Sequence, residues 1–246
     1  MNSVFITIDR GNTCTKAALW TPQGTMCAHG TFASDVSPCF IVKNLVGDRR
    51  LDVKRSALCS VRRHDDDREF LGQLAGLFPC VTVDAYNCEP LKIGYATPQT
   101  LGADRVAAAA GALVAAGHGN VLVADIGTAA TFDYVDADGV FAGGNISAGI
   151  TMRLDALHAH TSLLPEVALG GEVPIMGYDT PTAMRAGAVR GLVAELEYYR
   201  RCSGATVYLT GGDAATVLAE VPNPNDYIHD PFLVMRGLFS ILKHND

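Results

Sequence analysis

The sequence predicts an α/β protein of two related lobes, and two observations carry that prediction. An apolar run ending in an aspartate, then a glycine and a small hydroxylated residue, occurs twice. The first copy is Val4-Phe5-Ile6-Thr7-Ile8-Asp9-Arg10-Gly11-Asn12-Thr13, with Lys16 just behind it, and the second is Val121-Leu122-Val123-Ala124-Asp125-Ile126-Gly127-Thr128. Strand-like and helix-like segments then alternate through the rest of the chain, the grammar of α/β folds. The two aspartates stand 116 positions apart in 246 residues, so the lobes are expected at 1–117 and 118–246.

In chain order, Val4 to Ile8, Lys16 to Trp20 and Thr25 to Phe32 read as a β-meander, with Thr21-Pro22-Gln23-Gly24 as punctuation. Arg62 to Glu69 is the densest charge cluster and reads as an exposed helix start with acids in its first turn, leading into Phe70-Leu71-Gly72-Gln73-Leu74. Cys80 to Ala85 alternates like a strand, Tyr95 to Gly102 is a loop held by Pro98, and Asp104 to Ala116 is strongly helical. Gly117-His118-Gly119-Asn120 ends that helix and marks the lobe boundary. Asp136-Ala137-Asp138-Gly139 then turns a hairpin between Thr131 to Val135 and Val140 to Ala142. Gly143 to Gly149 reads as a glycine-rich loop, Ile150 to His158 as a helix and Thr180 to Tyr199 as a long amphipathic helix. Thr206 to Leu209 is a strand ending at Thr210-Gly211-Gly212-Asp213, and Ala214 to Ala219 and Phe232 to Leu242 are the last helices.

Composition narrows the function. At 48% hydrophobic and 18% charged, the chain is neither disordered nor fibrous. A net charge of −7 gives no overall basic field for nucleic acid or an anionic membrane, so an anionic ligand needs local cations and backbone amides. Seven cysteines without a C-x-x-C pair point to reduced thiols in a cytoplasm. The N-terminus lacks a signal-peptide pattern, and the most apolar run, Ala107 to Ala116, is too short and small-residued to span a bilayer.

The repeated turn suits phosphate, with a nucleotide in the cleft between the lobes. Gly11 lets the backbone approach a phosphate, Asn12 and Thr13 offer donors, Lys16 offers charge, and Asp9 suits a hydrated Mg²⁺. No G-x-x-x-x-G-K-[ST] occurs, so this is a phosphate-cradling hairpin and not a Walker loop; an ordinary Asn-rich turn is the bland reading. Asp125 with the Gly127-Thr128 backbone also suits a hard cation, against a bland strand-to-turn transition. Gly102-Ala103-Asp104-Arg105 opens the Ala-rich helix, where Asp104 is either a general base or a dipole-complementing cap, and Arg105 either meets an acidic substrate or is solvated. Thr210-Gly211-Gly212 lets backbone pass close to a flat ligand such as adenine. His158 and His160, two apart on a helix, face different directions and make a poor metal pair.

With these residues in place, the chain resembles the type III pantothenate kinases of the actin-like superfamily, which also holds sugar kinases, acetate kinase and chaperone ATPase domains. The resemblance runs nearly end to end, through Asp9-x-Gly11-Asn12-Thr13 with Lys16, Tyr95-x-x-Pro98-x-x-Leu101-Gly102-x-Asp104-Arg105, Asp125-x-Gly127-Thr128, Gly143-Gly144-x-Ile146, Leu164-Pro165, Thr180 before a helix, and Thr210-Gly211-Gly212. It implies an actin-like (ribonuclease H-like) fold, two lobes with mixed sheets flanked by helices, and ATP-dependent phosphorylation of pantothenate to 4'-phosphopantothenate, the first step of coenzyme A synthesis. It further implies Asp104 as base, and Tyr95, Gly102, Ala103, Asp104, Arg105 and Thr180 around pantothenate. Asp9, Arg10, Gly11, Asn12, Thr13, Cys14, Thr15, Lys16, Thr128, Gly211 and Gly212 would lie on ATP, with Mg²⁺ near Asp9 and a monovalent cation, K⁺ or NH₄⁺, on Asp125. The enzyme would be a cytoplasmic homodimer. Arg10, usually apolar in the family, Ser147-Ala148 in place of Pro-Gly, and Pro181-Thr182 after Thr180 depart from the pattern. The alternatives are a kinase of another small alcohol or acid on the same fold, or a non-catalytic nucleotide-binding regulator.

Overall fold

The computed structural model describes residues 2–62, 64–117 and 119–245, with the backbone alone at 2 and 64–66. Its elements in order are β1(Asn2–Arg10), β2(Cys14–Trp20), β3(Met26–Ala33), α1(Pro38–Val46), β4(Leu51–Ser60), α2(His64–Leu77), β5(Cys80–Thr82), β6(Lys92–Ile93), α3(Ala103–Ala116), β7(Val121–Ile126), β8(Ala129–Val135), β9(Val140–Ala148), α4(Ile150–Ala159), α5(Thr180–Ser203), β10(Thr206–Thr210), α6(Ala214–Leu218), β11(Tyr227–His229) and α7(Leu233–His244). Two compact units result. One comprises Met1–His118, Asp138–Ala142 and Phe232–Asp246, and the other Gly119–Ala137 and Gly143–Pro231.

Each unit is built on the same plan. In the first, β1 lies between antiparallel β2 and parallel β4, with β5 parallel beyond. In the second, β7 lies between antiparallel β8 and parallel β10, with β11 parallel beyond. The sheets run β3-β2-β1-β4-β5 and β11-β10-β7-β8-β9-β6. Both aspartates of the repeated turn therefore sit near the carboxyl end of a central strand.

The two-residue period of β1 decides what each face meets. Ile6 and Ile8 pack with Ile41 and Leu45 of α1 and Phe70 and Leu74 of α2. Thr7 points the other way, accepting a hydrogen bond from Trp20 Nε1 at 2.8 Å and donating to Met235 Sδ of α7 at 3.2 Å. Trp20 also stacks on Phe239 of α7, ring centroids 5.0 Å apart. In the second unit, Leu122, Ala124 and Ile126 of β7 join Val207 and Leu209 of β10 and the buried stripe Val189, Leu192, Leu196 of α5.

The units differ from the expected division at 117/118 because Asp138–Ala142 and the closing helix, both expected in the second lobe, group with the first. Glycines explain how. A Cβ on Gly237 would come within 1.7 Å of Ala107 O, and one on Gly111 within 2.2 Å of Leu233 O, so α3 and α7 touch backbone to backbone. Residues Val106 to Ala110 of α3 are buried on every side, which is why its sequence carries no polar face.

Other local readings also change. Gly143 to Ala148 forms the body of β9 instead of a loop, since glycine weakens a strand without barring ladder hydrogen bonds. The strand expected over Cys80 to Ala85 covers only Cys80–Thr82. The charge cluster falls partly outside the described residues, but Asp67 within it is buried where an exposed first turn was expected. The boundary residue His118 lies outside the described residues.

Candidate active site

The first turn is a tight β-hairpin closed by Gly11 N donating to Cys14 O at 3.0 Å. A Cβ on Gly11 would lie 3.1 Å from that same oxygen, so the hairpin is tight at this point. Asn12 and Thr13 are exposed at its tip. Asp9 stands directly across the ladder from Lys16 on one side and from Cys59 on the other. The Cys59 thiol, fully buried, donates to Asp9 Oδ1 at 3.4 Å.

Burial, followed by the nearby negative charge of Asp104, raises the Asp9 carboxyl to about 6, against the lowering pull of Lys16 and the thiol. Burial and the two carboxylates push the Cys59 thiol well up, so it stays protonated and serves as a donor. A desolvated carboxylate that one lysine does not fully compensate, beside a second carboxylate, is a donor set suited to a hydrated Mg²⁺.

Strand alternation divides the motif. Arg10, one residue beyond Asp9, faces α2: its guanidinium is buried, pairs with Asp67, donates to Ser34 O at 3.2 Å and lies 3.9 Å above the Phe70 ring. Its cross-strand neighbour Thr15 is buried as well. The side chains of Arg10 and Thr15, expected on a phosphate, are turned away from the Asp9 face, and only their main chain remains for a ligand. The guanidinium at this departure from the family pattern is engaged in an internal ion pair.

The second cluster in this unit surrounds the start of α3. Asp104 Oδ1 accepts from Arg105 N at 2.8 Å, and a Cβ on Gly102 would come within 2.6 Å of that oxygen. Gly102 therefore clears the space the carboxylate occupies. Burial raises the Asp104 carboxyl, partly offset by the Arg105 amide and guanidinium. Arg105 is itself buried, its guanidinium 5.8 Å from the Tyr95 ring centre and 5.6 Å from that of Phe141. Tyr95, Gly102, Ala103, Asp104 and Arg105 are thus one neighbourhood, and the shared electrostatics of Asp104 and Asp9 link it to the first turn.

In the second unit, Gly127 N donates to Ala129 O at 3.0 Å, closing the counterpart hairpin. Here the main chain is crowded by glycines. A Cβ on Gly211, whose φ is +100°, would sit 2.3 Å from Ile126 O and 2.5 Å from Asp125 Oδ1, and one on Gly149 would sit 2.1 Å from Gly127 O. Asp213 N donates to Ile126 O at 2.9 Å, fastening the Thr210-Gly211-Gly212 turn to the end of β7. Asp125 faces Thr131 and Thr210 across its two ladders. Thr128 and Gly212 are exposed. Asp213, whose carboxyl burial pushes up, belongs to this neighbourhood but carried no sequence signal beyond following Gly-Gly.

Thr180 is exposed at the first position of α5. Thr182 is buried and its hydroxyl is engaged with Asp179, which accepts from Thr182 N at 2.8 Å in a capping box. Of the two threonines, Thr180 is the one presented outward. His158 uses Nδ1 on Leu164 O at 2.8 Å, a loop anchor. Ser147 and Ala148, at the other departure, are both held by Arg153, whose Nη2 donates to Ser147 Oγ at 2.9 Å and whose Nε donates to Ala148 O at 2.8 Å.

A model of the type III pantothenate kinase family matches residues 5–201. The chain belongs to that family. It is 37% identical to the type III pantothenate kinase of Azobacteroides pseudotrichonymphae genomovar. CFP2, over 97% of this chain and 96% of that one. It is 35% identical to the type III pantothenate kinase of Bacteroides fragilis strain YCH46, over 97% of each. Among solved structures it is similar to a conserved putative Baf family transcriptional activator from Campylobacter jejuni, with a TM-score of 0.65, 20% identity and 98% of each chain covered, a likeness of fold. The fold, two mixed sheets flanked by helices, is also similar to that of the (R)-2-hydroxyglutaryl-CoA dehydratase component A of Acidaminococcus fermentans, with a TM-score of 0.59, 15% identity and 99% of each chain covered.

Proposed function

We propose that the chain transfers the γ-phosphoryl group of ATP to the terminal hydroxyl of pantothenate, giving 4'-phosphopantothenate and ADP, the first step of coenzyme A biosynthesis. The observation that carries this reading is the family match across residues 5–201, joined to an Asp104 carboxyl that burial holds above the usual carboxylate range.

Phosphoryl transfer asks chiefly for positioning and for stabilisation of developing charge. Asp104, with Oδ1 fixed by the Arg105 amide, offers its other oxygen to the substrate hydroxyl and takes its proton as the new O–P bond forms and ADP leaves. Tyr95, Gly102, Ala103 and Arg105 bind pantothenate, with Arg105 as counter-charge to its carboxylate. Thr180, exposed at the start of α5, is the threonine that meets substrate. The amides of the first turn, with Asn12, Thr13 and Lys16, cradle phosphate, and Thr128, Gly211 and Gly212 contact the nucleotide. Asp9 would hold magnesium, which when bound would supply positive charge beside the transferring group. Asp125, whose cross-strand neighbours are both threonines, would hold a monovalent cation. In this reading, as in the family resemblance, the enzyme acts as a cytoplasmic homodimer.

ADP release measured with pantothenate, with and without potassium, tests substrate, reaction and cation together. Potassium-stimulated turnover of pantothenate is the expected outcome. Turnover of a sugar or acetate with none of pantothenate overturns the reading.

A further inference from the structure

We propose that Cys59 is a positioning residue: its thiol fixes the orientation of the Asp9 carboxylate and thereby sets how strongly magnesium improves nucleotide binding. The inference rests on the reading of Asp9 as the magnesium side of the site. Cys59 stands opposite Asp9 in the parallel ladder of β1 and β4 and is fully buried. Its Sγ lies 3.4 Å from Asp9 Oδ1. A carboxylate can turn about its terminal bond, and a donor on one oxygen selects the rotamer that leaves the other oxygen for a ligand.

The second unit repeats the arrangement. Across the parallel ladder of β7 and β10, Asp125 faces Thr210, again a small, buried residue with a donor atom. An apolar residue of the same size would fill either slot equally well for packing, so the recurrence of a donor beside each aspartate points to orientation. Nothing in the sequence marks Cys59, because β4 opens among charged residues and a cysteine beside Ala57 and Leu58 reads as core.

The test is calorimetric titration of the full chain with ADP, with and without Mg²⁺, for wild type, Cys59→Val, Cys59→Ala and Cys59→Ser. In wild type, Mg²⁺ strengthens ADP binding. In the Val and Ala variants, metal-free ADP affinity stays within about 2-fold, while the Mg²⁺-dependent gain falls by about 3- to 10-fold, the worth of one net hydrogen bond. Cys59→Ser retains the gain, and KM for pantothenate is unchanged throughout. Full Mg²⁺-dependent gain in Val and Ala overturns the proposal, as does a Ser variant as impaired as Ala, which marks a packing role. If Cys59→Val fails to fold, the Ala and Ser pair decides by the same criterion. A wild-type chain with no Mg²⁺-dependent gain removes the Asp9 reading itself, a failure distinct from loss of the Cys59 effect alone.

Discussion

The two aspartate-glycine-hydroxyl turns share a backbone plan and differ in what supports them. Asp9 faces a lysine and a thiol and feels Asp104 nearby, so its surroundings are side chains that carry or donate charge. Asp125 faces two threonines, and Gly149 and Gly211 crowd the main chain around it at distances no Cβ could occupy. One turn is specified by electrostatics, the other by the shape of the backbone. Substitutions of charge should therefore damage the first turn most, and substitutions of volume the second turn.

The largest effect is expected from Asp104→Asn, which keeps the shape of the α3 start and removes the proton acceptor. Turnover should fall by about 10²- to 10⁴-fold, the usual worth of a positioned general base, with ADP affinity within about 2-fold of wild type. Single-turnover kinetics beside calorimetry checks this, and near-normal turnover removes Asp104 as the base. Gly102→Ala should reproduce part of the loss without altering charge, because its Cβ would displace Asp104 Oδ1 from 2.6 Å.

The contrast in volume is tested by two parallel substitutions. Gly211→Ala places a Cβ against Ile126 O and Asp125 Oδ1 at a φ of +100°, so overpacking and backbone strain should cost about 1–3 kcal/mol and raise KM for ATP roughly 10-fold or more. Gly11→Ala meets only Cys14 O, at 3.1 Å, and should cost about 1 kcal/mol or less. Denaturant melts and KM values for the pair measure the difference. Equal penalties would show that the two turns are not built on different principles.

These contrasts indicate how far the sequence was legible. The turns, both aspartates and the α3 start were visible because short-range pattern encodes them: an apolar strand, a polar break, then glycine. The plan of each unit was less so, since β4 begins among Asp52, Lys54 and Arg55 and hides its strand character, and the helix α7 joins the first unit through Gly111 and Gly237, 126 positions apart. Arg10 and Cys59 were misread or missed for one reason. A strand sends neighbouring side chains to opposite faces, and which face meets the ligand depends on partners distant in sequence.

The smallest effect concerns the proton affinity of Asp9 in the metal- and nucleotide-free protein. Its carboxyl titrates near 6 in the folded chain against an ordinary 3.8, so the folded state binds more protons than the unfolded one between those values. The contribution of this carboxyl to stability is therefore fully present below pH 3.8 and is lost as pH rises through about 6, because the folded site must hold a charge it disfavours. Asp9→Asn removes that burden. The variant should be more stable than wild type by about 1–2 kcal/mol at pH 7.5, with the gap closing toward pH 4, while Mg²⁺-dependent ADP binding weakens. Urea melts at the two pH values measure the gap, and a variant equally stable at both would show that Asp9 is not strained by its surroundings. A site that is less stable when charged and metal-free is one that a cation relieves, so adding Mg²⁺ with ADP should raise the wild-type midpoint and leave that of Asp9→Asn nearly still.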